Sequence, residues 1–195
     1  MSQLTQRERI LSHGLGVASA QGLDALSIGE LARKLDVERS GLTVHFEDKS
    51  SLQLGVLEQA AAMFQSDVVD VAQLKPQGED RIYALFERWI AWSLNPRLKG
   101  GCPFVHASHE SKSLPSDVRA KLREFLDQWS EFFAEAITFT KQNGAFAKDI
   151  DIDQFIFEAY GLYLSHHFWH WSMKDGNAKA RTMISFERLM TSAKA

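Results

Sequence analysis

Apolar residues in this chain recur at three- and four-residue steps along nearly its whole length, while the two-residue alternation of a half-buried strand is almost absent. That periodicity predicts an all-α protein of about nine helices. The first covers roughly residues 4–21 on Leu4, Ile10, Leu11, Val17 and Ala18, with Gly22 as its stop. Gly14 and Gly16 weaken it, since glycine in a helix interior costs up to ~1 kcal/mol relative to alanine. Ser27-Ile28-Gly29-Glu30 has the Ser-x-x-Glu pattern of a capping box and opens a short helix that ends near Leu35-Asp36-Val37. Aspartate is among the few side chains that tolerate a left-handed turn position, which suits Asp36. A second short helix follows from about Arg39 to His45. Asp48 then caps a longer one with apolar residues Leu52, Val56, Ala60, Met63 and Phe64. Later helices are expected at about 81–94 and 104–111, then one that starts at Leu114-Pro115-Ser116-Asp117 with an apolar stripe from Val118 to Ile137 before the turn at Asn143-Gly144, and others at about 151–173 and 178–193.

Composition removes several classes. With 195 residues, 45% hydrophobic and 24% charged, the chain can bury a core and does not read as disordered. A single cysteine, Cys102, builds neither an internal disulfide nor a structural zinc site. The apolar stretch from Ala159 to Met173 is too short and too rich in histidine to span a bilayer, and the first residues lack a signal-peptide core. A soluble, cytoplasmic protein without membrane attachment is the expectation. Helix lengths divide the chain near residue 50, giving a head over 1–50 and a body over 51–195.

Two short helices joined by a tight turn can form a helix-turn-helix, whose second helix enters the DNA major groove. Ile28, Leu31, Ala32 and Leu35 give the first an inner face, and Val37, Leu42 and Phe46 serve the second. Arg39, Ser40, Thr43, Val44 and His45 then point outward. Arginine donates twice to guanine, and the two hydroxyl residues bond several bases or touch a thymine methyl. His45, Lys49 and the backbone N–H groups around Ser27 suit phosphate. An ordinary pair of packed helices would carry the same periodicity. Residues 1–50 hold six Lys/Arg against seven Asp/Glu, and Glu38 is unfavourable beside phosphate. A helical carrier for apolar molecules, without DNA binding, is therefore the alternative.

Five Trp and thirteen Phe are concentrated after residue 80. Phe86, Trp89, Trp92, Cys102, Phe104, Trp129, Phe133, Phe157 and Tyr160 are candidates to line an apolar cavity, or else simply to fill the core. The 151–173 helix is apolar nearly all round, so one face can meet a partner. Phe155, Tyr163, His166, Trp169 and His170 from it, with Met183, Phe186 and Met190 from the last helix, are the candidate interface. His166 and His170 share a helix face, and His106, His109 and Glu110 form a second cluster; core or interface histidines are the expected reading of both, with no metal. No nucleophile elbow, phosphate loop, dinucleotide fingerprint or zinc-protease motif occurs, so no enzyme and no cofactor are expected.

Residues 7–58 resemble the DNA-binding domain of the tetracycline-repressor-like (TetR) family of bacterial transcription regulators. The resemblance is carried by Ile10-Leu11, by Gly22-Leu23-Asp24-Ala25-Leu26-Ser27-Ile28-Gly29-Glu30-Leu31-Ala32, and by Leu35 through Leu52, where Leu42, His45, Phe46, Lys49 and Leu52 match the family pattern. Thr43 departs from the usual Tyr or Phe, Asp36 from Gly, and Glu38 from a capping Ser. Gly100-Gly101-Cys102-Pro103-Phe104 also resembles a loop of one branch of the family. The resemblance implies a homodimer whose last two long helices pair as a four-helix bundle. It also implies an operator read by Arg39, Ser40 and Thr43. Ser27, Gly41, Val44, His45 and Lys49 would position the backbone, and a small-molecule effector would bind in the body.

Overall fold

The structure, a computed structural model, describes residues 5–194; the side chain of Arg39 lies outside the described set, as do Leu4 and the residues before it. Nine helical rods account for the architecture among the described residues. They are α1 (Gln6–Gln21), α2 (Ile28–Leu35), α3 (Arg39–Thr43), α4 (Lys49–Phe64), α5 (Glu79–Ser93), α6 (Pro103–His109), α7 (Ser116–Gln142), α8 (Ile152–His167) and α9 (Ala178–Ser192). Two rods change pitch: α4 runs on through a π-helical turn, Gln65–Val69, into Asp70–Gln73, and α8 runs on through another, Phe168–Ser172. An isolated bridge between Phe146 and Lys194 is the β pairing seen among these residues.

Local chemistry sets the rod ends. Thr5 and Glu8 form a reciprocal capping box that starts α1. The two hydrogen bonds from Thr5 hold the Glu8 carboxyl below its usual range. Gly22 ends α1 at φ 88°. Ser27 Oγ accepts the Glu30 N–H at 3.4 Å, supplying half of the box expected there. Asp36 adopts the left-handed conformation, φ 53° and ψ 49°, and closes α2. Asp48 Oδ1 accepts the Ser51 N–H at 2.8 Å at the head of α4.

The chain separates into two compact units: residues 1–63 with 95–125, and residues 64–94 with 126–195. The head drawn over residues 1–50 lies within the first unit, which also takes in α4 as far as Met63 and the segment 95–125. In the first unit, Ile10, Leu15, Leu26, Leu42, Leu52 and Val56 are fully buried. Gly14 permits α1 and α4 to approach; a Cβ there would stand 2.7 Å from Val56 Cγ2. Cys102 is buried in this unit, as is Phe104, whose ring stacks on Phe125 at 3.7 Å.

The second unit is built around Trp89. Its ring stacks on Tyr163 at 4.0 Å and meets Trp129 and Tyr160 edge-on at 5.1 and 4.7 Å. Phe64 contacts both Trp92 and Trp129, and Phe86 stacks on Phe186 at 3.8 Å. Most of the candidate cavity residues thus pack on one another here, with Phe133 against Trp129. Phe157 does not join them: it is 74% exposed. Cys102 and Phe104 belong to the other unit.

The candidate interface set also divides. Phe155, Tyr163, His166, Phe186 and Met190 are buried inside the second unit, because they face the helices of their own chain. Trp169 is exposed, and His170 and Met183 are half-buried. The other large apolar side chains that α8, its π-helical extension and α9 leave exposed are Phe157, Leu164, Phe168 and Ile184.

Candidate nucleic-acid interface

Leu42 and Phe46 are 0% and 2% exposed and hold the short α3 from beneath. Burying two such side chains outweighs the weak intrinsic stability of a five-residue helix. With that face fixed, Ser40, Thr43 and Val44 turn to solvent, Val44 at 81% exposure. Arg39 opens the same helix. In the free chain the two hydroxyls are engaged locally. Ser40 Oγ donates to Glu38 Oε2 at 3.2 Å, and Thr43 Oγ1 donates to the Ser40 carbonyl at 3.0 Å. The Thr43 methyl and the Val44 isopropyl group are the kind of surface that meets a thymine methyl.

Around α3, Gly41 is half-buried beside the start of α1, where a Cβ would come within 3.2 Å of Gln6 Nε2. His45 is half-buried next to Phe46, with ring centroids 6.5 Å apart. Ser27 caps α2, so its hydroxyl is committed and the first N–H groups of that helix are what remains to offer. Lys49 is exposed, and its Nζ donates to the Asp24 carbonyl at 2.5 Å with the Asp24 carboxylate 3.6 Å away. The structure therefore gathers Ser40, Gly41, Thr43, Val44 and His45 on or beside one helix, with Lys49 a few residues on at the start of α4.

Sequence reasoning missed Gln6 and Arg7. The Arg7 guanidinium lies 5.6 Å from the centre of the Phe46 ring, an exposed cation against the anchor of α3. Its only signal was a positive charge in the first turn of a helix. Among the described residues no group of three or more His, Cys, Asp or Glu stands close enough to hold a metal ion. No helix among them is long and apolar enough to cross a membrane.

Residues 78–186 match the model of the tetracyclin repressor-like C-terminal domain. No curated protein matches the sequence. Solved structures share the fold: a TetR transcriptional regulator from Chloroflexus aurantiacus at 20% identity, covering 95% of this chain and 92% of that one, has a TM-score of 0.81. A TetR-family regulator from Cytophaga hutchinsonii at 16% identity, covering 100% and 99%, also gives 0.81. AibR, solved with isovaleryl coenzyme A and operator DNA, aligns at 20% identity over 86% of each chain with a TM-score of 0.70. With more than half its length matched by the family model, and an all-helical fold shared with these regulators, the chain belongs to the tetracycline-repressor-like (TetR) family of transcriptional regulators.

Proposed function

We propose that this chain is a homodimeric DNA-binding regulator, a repressor released from a near-palindromic operator by a small apolar or aromatic effector. One arrangement carries the reading: α3 is anchored on Leu42 and Phe46 and bares Ser40, Thr43 and Val44. Arg39, Ser40 and Thr43 read base edges; Ser27, Gly41, Val44, His45 and Lys49 set register on the sugar-phosphate backbone. A second copy supplies the other half-site reader, roughly 34–36 Å away along the duplex.

The surface that suits a second copy is the α8–α9 face. A groove of about 560 Å³, lined by Phe157, Gly161, Leu162, Ser185, Arg188 and Leu189, runs between these helices. A two-fold axis uses such a patch twice. The effector belongs to the aromatic interior of the second unit. The rings of Tyr163, Tyr160 and Trp129 pack on Trp89 at 4.0, 4.7 and 5.1 Å, so an effector enters there by parting them. A ligand that favours the opened arrangement changes operator affinity through that difference alone, typically ~1–3 kcal/mol of coupling.

Selection of duplexes from a random pool by the purified protein tests the reading. A retained palindromic site whose base preference relaxes in Thr43→Ala and Ser40→Ala, by about 1–3 kcal/mol per lost base contact, is the expected result. Retention of no sequence, with tight uptake of an apolar ligand, would favour the carrier alternative.

A further inference from the structure

The loop that follows α6 reaches back onto the turn between α1 and α2. Glu110 Oε2 accepts the Leu23 N–H at 2.8 Å and the Asp24 N–H at 3.3 Å, so one carboxylate satisfies two consecutive N–H groups of the turn that follows α1. The turn is shaped for it: a Cβ on Gly22 would lie 1.8 Å from Glu110 Oε1. Three residues on, Ser113 Oγ donates to Asp24 Oδ2 at 2.5 Å. Asp24 in turn holds Lys49, through its carbonyl at 2.5 Å and its carboxylate at 3.6 Å. Next to Lys49, Ser50 Oγ donates to both oxygens of Asp117, at 3.1 and 2.9 Å. That contact keeps the Asp117 carboxyl below its usual range. All these groups lie in the first unit.

We propose that Glu110 is a positioning residue for DNA binding: by clamping the Leu23 and Asp24 amides it fixes Asp24, and Asp24 fixes where Lys49 stands at the phosphate backbone. Glu110 touches no DNA. Its sequence position lies within the C-terminal family match, yet its packing belongs to the DNA-binding head. The inference rests on the reading that the head binds DNA. Its geometry supplies what that reading leaves open, namely what orients a flexible lysine whose four-carbon stem would otherwise spend entropy on ordering.

The test uses the full chain and a fluorescently labelled duplex that the wild-type protein recovers from a random pool. Glu110→Ala is expected to bind it about tenfold more weakly, since a charge-assisted contact to two amides is lost. Glu110→Gln, whose amide oxygen still accepts from both N–H groups, is expected to recover most of that loss. Lys49→Ala weakens binding as well, and the Glu110→Ala/Lys49→Ala double variant is expected to bind no worse than the weaker single one. A role in general stability would instead make the two losses multiply. In the DNA-free protein, amide exchange at Leu23 and Asp24 is expected to quicken about tenfold in Glu110→Ala and little in Glu110→Gln. Multiplying losses, or wild-type affinity in Glu110→Ala, would overturn the proposal while leaving DNA binding intact. A wild-type protein that recovers no duplex would overturn the DNA reading itself and this one with it, and the exchange data would still report whether the clamp exists.

Discussion

Gly22 answers to two demands at once, a positive φ and a carboxylate pressed against its α-carbon. Gly22→Ala is expected to destabilise the fold by at least about 2 kcal/mol, because it adds backbone strain and displaces Glu110; urea unfolding measures it. His166 shows the opposite side of burial. Desolvation, reinforced by the charge of His170 and by Lys179, pushes its pKa down to about 4, and its Nε2 lies 3.1 Å from Ser93 Oγ. The unfolded chain therefore binds the proton more readily. The His166 contribution is complete above pH 6.5 and is lost as pH falls toward 4. Unfolding free energies across that window are expected to fall more steeply for the wild type than for His166→Gln; parallel slopes would assign the titration elsewhere. The sequence exposed the i, i+4 pair but not its surroundings, since Ser93 lies on a different helix and 73 residues away.

At the level of helices, the caps are the most legible feature. Ser27, Asp36 and Asp48 each stand where a side-chain oxygen or a tolerated left-handed turn ends a rod. Ser27→Ala is expected to cost about 1 kcal/mol in chemical denaturation, the usual value for a lost N-cap oxygen. The π-helical turns left no such signature. In the first, the Asp67 carbonyl is taken by Arg88 Nε at 2.8 Å and Nη2 at 2.6 Å, a partner from α5 that periodicity within α4 does not reveal. The α8–α9 face carries the strongest test of assembly. Phe157→Glu changes an exposed side chain, so the subunit should stay folded while sedimentation shows the dimer shifted to monomer. A variant that remains dimeric would move the interface to another surface.

For the whole molecule, a net charge of −3 makes local placement of cations decisive. DNA affinity is expected to fall with salt by about 0.9 log unit per log unit for each phosphate neutralised. Lys49→Ala should reduce that slope by about one contact, as read from titrations at several salt concentrations. Helical class, rod ends and the two-sided character of α3 were all decided within short stretches of chain. Each depends on neighbours three or four residues apart, and those are visible in the amino-acid order. The aromatic residues could be counted but not sorted. Whether Phe155 or Phe157 faces inward depends on which other helices lie against α8, and those come from positions tens of residues away. Glu110 is the sharpest instance: nothing in its own surroundings along the chain links it to Leu23, because contact between residues 87 positions apart exists only once the rods have packed.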